Sequence, residues 1–204
     1  MGFYRNVVLP KLCDLSMRNK RFTPYRERVI AAAEGRVLEI GAGSGLNLKL
    51  YKPVATEILA LEPDIKLIGM AEHNAKNASQ PVRFLKASAE QIPLEDRSIN
   101  TVVTTWTLCT IPHAIHALEE MRRVLTPNGR LLFVEHGLAP EQNVRKWQNR
   151  LTPFWERISG GCHLNRPIDN LIETAGFKID RIKTGYMPGL KIGAFLYEGS
   201  ARPC

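Results

Sequence analysis

Short apolar runs alternate with amphipathic segments along most of the chain. Runs at 36–41, 57–62, 82–85, 99–105 and 130–135 have strand length, and each contains adjacent apolar residues. Continuous rather than alternating apolarity marks strands buried on both faces, as in parallel sheets. Between them, helical spacing predicts helices over 44–51, 64–78 and 112–125. A helix-rich insert follows over 141–159, then a helix over 167–175 that stops at Gly176, a good C-terminal cap residue. Segments 177–184 and 192–198 read as a closing hairpin. This order predicts an α/β fold with a doubly wound, mostly parallel seven-stranded sheet. Ligands of such sheets bind beyond the carboxyl ends of the strands. Glu39, Glu62, Glu90, Trp106 and Glu135 should therefore surround one mouth.

Residues 2–20 form an amphipathic lead-in. Phe3, Tyr4, Val7, Val8, Leu12, Leu15 and Met17 are apolar, and Arg5, Lys11, Arg18, Lys20 and Arg21 are basic. Pro10 either interrupts or begins a helix there. Thr23-Pro24 reads as N-cap and first turn of a helix to about residue 33. Such a lead-in packs on the core, covers a site, or lies on an anionic membrane surface; a cover is the favoured reading. The expected layout is one domain over 1–204, with a helical lid at 1–34, a core at 35–136, and an acceptor-side insert and hairpin at 137–204.

Composition narrows the class. With 204 residues, 44% hydrophobic and 24% charged, the chain has ordinary globular composition. It has no run of roughly 18 apolar residues, so no membrane span is expected. Its start reads as neither a signal peptide nor an acylation site. Cys13, Cys109, Cys162 and Cys204 lack metal-ligand spacing. They suit reduced thiols of a cytoplasmic protein, with no metal expected. The net charge of +8 favours anionic partners or is simply a basic surface.

The densest chemistry lies at Glu39-Ile40-Gly41-Ala42-Gly43-Ser44-Gly45-Leu46-Asn47. A strand enters a loop with glycine at every second position, as backbone with positive φ or close ligand approach requires. The dinucleotide fingerprint needs glycine where Leu46 stands. Glu62 follows Gly41 by 21 residues, near the spacing at which nucleotide folds place a ribose-binding acid. Ala87-Ser88-Ala89-Glu90-Gln91-Ile92-Pro93-Leu94 precedes the fourth strand. Leu118 to Leu131 contains Glu120-Met121-Arg122-Arg123-Val124-Leu125-Thr126-Pro127-Asn128-Gly129. Together these resemble the motifs of class I S-adenosylmethionine (SAM) methyltransferases, with Asn128 in place of a glycine. The resemblance implies SAM as cofactor and S-adenosylhomocysteine as product. It implies cofactor contacts at Glu39, Gly41, Gly43, Gly45, Asn47, Glu62, Pro63, Ser88, Ala89, Glu90 and Thr105.

Further on, Glu135-His136, Trp147, Trp155 and Gly161-Cys162-His163-Leu164-Asn165-Arg166 resemble the thiol S-methyltransferases of animal membranes and their soluble bacterial relatives. Those animal proteins carry a hydrophobic N-terminal anchor, which this sequence lacks, so membrane residence does not transfer. The resemblance implies a small apolar methyl acceptor, with a thiol favoured and attack by the thiolate. His136 and His163 are candidate proton acceptors. Phe3, Tyr4, Trp106, Cys109, Glu135, Trp155, Cys162 and Arg166 are candidate pocket residues, although core packing is the common fate of such tryptophans and cysteines. Cys109 and Cys162 are also candidate ligands for a soft metalloid, with inert buried cysteine favoured. Thr105-Trp106-Thr107-Leu108 replaces the Pro-Pro-aromatic turn of nucleic-acid amino-methyltransferases, so nucleic acid is not the expected partner. Alternatives from other classes are an enzyme of phospholipid amines or quinone precursors at an anionic membrane, a non-catalytic SAM-binding module, and an NAD-binding oxidoreductase. Oligomeric state is not legible.

Overall fold

The computed structural model describes Tyr4 and residues 8–204. Strands β1 (Gly35–Ile40), β2 (Ala55–Leu61), β3 (Val82–Leu85), β4 (Ile99–Thr105) and β5 (Leu125–His136) pair in parallel. β6 (Phe177–Tyr186) and β7 (Phe195–Pro203) complete one seven-stranded sheet in the order β3-β2-β1-β4-β5-β7-β6. β7 runs antiparallel to both β5 and β6. The sheet is therefore the expected doubly wound one. Strand order reverses between β1 and β4, which sets a crevice at their carboxyl ends.

The apolar runs of β1, β2 and β4 split residue by residue between two cores, because successive side chains point to opposite faces. Leu38, Ile40, Leu59, Leu61 and Val102 join one core. Val37, Ile58, Ala60 and Val103 join the other. The first is covered by α4 (Ala114–Val124), which buries Ala114, Ala117, Leu118, Met121 and Val124 at helical spacing, and by α6 (Ile168–Thr174). The second is covered by α2 (Thr23–Ile30) through Val29 and Ile30. α1 (Leu9–Met17) precedes it, α3 (Ile65–Ala75) follows β2, α5 (Gln142–Ile158) follows β5, and a single turn, α7 (Lys191–Ala194), leads into β7. β6 is an edge strand, mostly exposed and carrying Lys178, Asp180, Arg181 and Lys183, which guard it against further pairing. No helix among the described residues is long and apolar enough to cross a membrane.

Three expectations change. The helix over 44–51 is only a 3₁₀ turn, Leu48–Leu50. Gly41, Gly43 and Gly45 all hold positive φ, and Tyr51 returns to extended backbone so that its hydroxyl reaches Glu39. Thr23 is the first residue of α2 rather than its cap, and the helix ends at Ile30. β5 begins at Leu125 rather than at 130, with a register break opposite Asn100. There Gly129 is the residue that space demands, since a Cβ would stand 3.0 Å from the Asn100 carbonyl oxygen. Asn128 has no positive φ, so its substitution for glycine needs no special backbone.

The insert is pinned by one amide. Gln148 of α5 is fully buried. Its Oε1 accepts from the Ala139 N–H at 3.0 Å, and its Nε2 donates to the carbonyls of Gly137, Leu164 and Ile192 at 2.8–2.9 Å. That side chain joins the β5 exit, α5, the 160s loop and α7. Gln148→Leu strands three buried backbone groups, each costing about 1–3 kcal/mol, and one half-buried carbonyl. The expected loss is on the order of 4 kcal/mol, measured as a fall in the urea midpoint at unchanged slope.

Candidate cofactor and acceptor site

A cavity of about 380 Å³ opens at the carboxyl ends of β1, β2 and β4. That lies within the usual range for a small-ligand site, about 300–1,000 Å³. Gly41, Ala42, Gly43, Ser44 and Asn47 form one wall. A Cβ on Gly43 would meet nothing nearer than the Gly41 carbonyl oxygen at 3.9 Å, so this backbone lies open to a ligand. Gly41 serves a different need: a Cβ there would stand 2.4 Å from Thr107 Cγ2. Gly45 lets the loop pack on Leu48 and Ala71. Glu62 borders the cavity, accepting from the N–H of Gly43 at 2.9 Å and of Asp64 at 3.0 Å. Burial raises its pKa. Leu61, Pro63, Leu67, Ser88, Ala89, Ile111 and Pro112 extend the wall, a mostly apolar slot.

The turn after β4 is built around Glu135. This carboxylate is fully buried and accepts from Thr104 Oγ1 at 2.5 Å and the Thr107 N–H at 3.0 Å. The turn it holds places Trp106 at φ +52°, a left-handed conformation that costs a non-glycine residue about 1–2 kcal/mol. Trp106 then borders the cavity and packs edge-on against Phe22 and Tyr25. Glu135 thus shapes the wall from behind and does not itself border the cavity.

α1 and α2 supply the remaining side. Leu9, Pro10, Cys13, Asp14 and Met17 of α1 line it, and Ser44 Oγ bonds Asp14 Oδ1 at 2.5 Å, tying α1 to the glycine loop. Arg26 of α2 is the residue that sequence reasoning missed. It borders the cavity yet is only 5% exposed, sandwiched beside the rings of Phe22 and Trp106. Nη1 donates to the Met17 carbonyl at 2.9 Å, while Nε is buried with no partner in the protein. Asn47 has a matching orphan. Its Nδ2 donates to Glu39 Oε1 and Thr105 Oγ1, leaving a buried Oδ1 unpaired on the cavity wall. Glu39 lies beneath, held by Asn47 and Tyr51, and does not border the cavity.

These groups fit SAM. Its amino-acid end carries a carboxylate and an ammonium, which a buried guanidinium N–H and an unpaired amide oxygen backed by a carboxylate complement. Its ribose hydroxyls suit Glu62, and its adenine suits the apolar slot. Glu90, expected on that slot, is turned aside: it accepts from the His113 N–H at 2.8 Å before α4 and does not border the cavity.

The other expected residues fall elsewhere. Phe3 lies outside the described residues. The Tyr4 hydroxyl donates to the Ile158 carbonyl at 2.6 Å, away from the cavity wall. Cys109, His136, Cys162, His163 and Arg166 gather behind the Trp106–Thr110 wall. His136 Nε2 lies 3.1 Å from Cys162 Sγ. Arg166 Nη1 donates to the Leu108 carbonyl. His163 contacts Glu156 at 2.9 Å through Nε2 and the Gly161 carbonyl at 2.8 Å through Nδ1. Trp155, 40% exposed, covers Cys162 from α5. Of the expected pocket residues, Trp106 alone borders the cavity among the described residues.

Burial raises the pKa of Glu39 and of Glu135 to about 7, against the lowering effect of their hydrogen-bond donors. Between about 4.5 and 7 the folded protein therefore holds protons that the unfolded chain releases. Their contribution to stability is full below about pH 4.5 and is lost as pH rises through about 7, on the order of 3 kcal/mol for each group. Denaturant midpoints measured across that window should show Glu135→Gln with a smaller loss toward neutral pH than the parent. Identical curves would refute the assignment.

Residues 38–133 match the methyltransferase domain family. Thiol S-methyltransferase TMT1B of Homo sapiens is 32% identical over 181 residues, spanning 85% of this chain and 74% of its own length. TMT1B of Rattus norvegicus is 32% identical over 166 residues, spanning 79% and 68%. A SAM-dependent methyltransferase structure from Thermotoga maritima shares the fold over 99% of this chain and 98% of its own, with a TM-score of 0.69 at 22% identity.

Proposed function

Because the chain belongs to the SAM-dependent methyltransferases, we propose that it methylates a small apolar thiol, which attacks the sulfonium methyl group as the thiolate. Bound SAM supplies a methyl group on a sulfonium and leaves as S-adenosylhomocysteine. Arg26 holds the carboxylate of the cofactor, Asn47 its ammonium, and Glu62 its ribose. Gly43, Pro63, Ser88, Ala89 and Thr105 complete the cradle. α1 and α2 act as the cover that excludes water, and Trp106 orients the acceptor. Positioning and dehydration are the main demands of such a displacement.

One observation carries the thiol over other acceptors. Among the described residues, the titratable groups bordering the cavity are Cys13, Asp14, Arg26, Glu62 and Asp64, with no histidine. A thiol, far more acidic than an alcohol, supplies enough thiolate without a dedicated base. Alcohols do not ionise so readily. The similarity to thiol S-methyltransferases over most of the chain supports the same reading. Turnover of labelled SAM should appear with alkyl thiols and run at least about 100-fold slower with alcohols of the same skeleton. Below the thiol pKa, the rate should rise about tenfold per pH unit. Turnover confined to phosphatidylethanolamine or to quinone precursors would overturn the thiol assignment.

A second reading concerns where the acceptor is met. Trp147, Phe154 and Ile158 recur on one exposed face of α5, beside Arg150 and Arg157. Leu12 and Leu15 of α1 are exposed as well. An apolar stripe flanked by arginines suits an anionic lipid surface, from which apolar thiols partition. Flotation with phosphatidylglycerol vesicles, lost in Phe154→Glu, would support it; no flotation would dismiss it.

A further inference from the structure

Behind the cavity wall, one sulfur is surrounded by donors. His136 Nε2 lies 3.1 Å from Cys162 Sγ, and Cys109, whose thiol donates to the Trp106 carbonyl at 3.6 Å, and Trp155 stand beside the same sulfur. The ligand atoms of Cys109, His136 and Cys162 all lie within 4.8 Å of one another. These residues come from the turn after β4, the end of β5 and the 160s loop, so the fold assembles the group from three separate segments. Cys109 is 2% exposed, whereas Cys162 is partly exposed. Cysteines that only fill space sit among apolar atoms. Here three polar groups converge on a single sulfur.

We propose that Cys162 and Cys109 form a thiol–disulfide exchange centre for small organic disulfides. Cys162 attacks as the thiolate. It forms a mixed disulfide and expels one thiolate, as the disulfide bond of the small molecule breaks. The departing thiolate takes the His136 proton, so that the neutral ring can accept the proton of Cys109, which then attacks Cys162 Sγ, expelling the second thiolate and closing a Cys109–Cys162 bond. The small disulfide is reduced by two electrons, and the cysteine pair is oxidised by two. The products are thiols, the acceptor class proposed above, but the exchange stands on its own geometry and does not need that reading.

The surroundings suit the order of attack. The neighbouring Cys109, His136 and Trp155 side chains hold Cys162 well below the ordinary thiol range, against the effect of burial. The neighbouring Cys162 sulfur, with burial, pushes Cys109 well up, so it stays protonated until the mixed disulfide forms. The other charged or titratable groups around the pair are Arg166 and His163 on the same loop, Glu135 on β5, Cys13 on α1 and Glu156 on α5.

The test uses the reduced full-length chain, bis(2-hydroxyethyl) disulfide and peptide mass spectrometry. A cross-linked Cys109–Cys162 pair is the expected product. Cys109→Ser should accumulate the mixed disulfide on Cys162, and Cys162→Ser should leave Cys109 unmodified. The rate at Cys162 should change less than about threefold between about pH 5.5 and 8.5, where an ordinary thiol speeds up a few hundredfold. In His136→Gln that rate should regain a rise with pH. Circular-dichroism melting of the variants reports folding independently. Modification of Cys13 or Cys204 with Cys162 left reduced would overturn the proposal. So would one tightly bound zinc ion per chain that is lost in Cys109→Ser. Absence of thiol methylation would leave the exchange result unaffected, and absence of exchange would leave the methylation result unaffected.

Discussion

Arg26→Met should weaken SAM binding by about 10- to 100-fold, the range for losing a hydrogen bond to a charged group. The same variant should melt at or above the temperature of the parent. Arg26 is nearly fully buried, and desolvation lowers its pKa, so its charge is a cost to the free protein. A residue kept for folding would show the opposite pair of signs. 5′-Methylthioadenosine, which lacks the amino-acid end, should bind parent and variant alike. If the variant weakens both ligands equally, Arg26 supports the cavity as a whole and does not hold the carboxylate.

Gly43→Val should abolish measurable SAM binding, a loss of more than about 100-fold, with the fold kept. Valine at φ +57° costs about 1–2 kcal/mol, which a native domain tolerates. Its side chain would enter space that is open only to a ligand. Gly45→Ala should do the reverse. Its Cβ would stand 2.8 Å from Leu48 Cδ1 and 3.0 Å from the Ala71 backbone, so the protein should lose stability first. Titration of SAM into both variants, with parallel thermal melts, separates a ligand glycine from a packing glycine within one motif. Intact SAM affinity in Gly43→Val would place the cofactor elsewhere.

The sheet was legible because local chemistry determines it. Residues of β1, β2 and β4 are buried on both faces, so their apolar runs announce parallel strands directly. The glycine loop and Glu62 were legible for a similar reason, since backbone conformation and spacing carry their roles. The short turn after the loop was not legible. Helical spacing suggested 44–51, but the pull of Tyr51 onto Glu39 is a long-range contact that periodicity cannot express.

Arg26 was hidden by its neighbours in sequence. Thr23-Pro24-Tyr25-Arg26-Glu27-Arg28 reads as a solvated charge run, and nothing local tells Arg26 from Arg28. The difference is tertiary. Trp106 arrives 80 positions later to bury the first, while Glu198 pairs with the second at the surface. Glu135 was expected at the mouth, but it lies behind the cavity wall, where it holds the turn that aims Trp106. His136 and Cys162 were each visible as reactive types. Their pairing with Cys109 required the fold, because no spacing rule joins positions 109, 136 and 162.

The most direct measurement is a single turnover with SAM labelled on the transferred methyl group, mixed with excess reduced chain and one small alkyl thiol. The account predicts that the label appears in the methyl thioether, with an equal amount of S-adenosylhomocysteine, and that Arg26→Met slows this at subsaturating SAM. Label that stays on SAM for every thiol tried, while SAM remains bound to the chain, would contradict it.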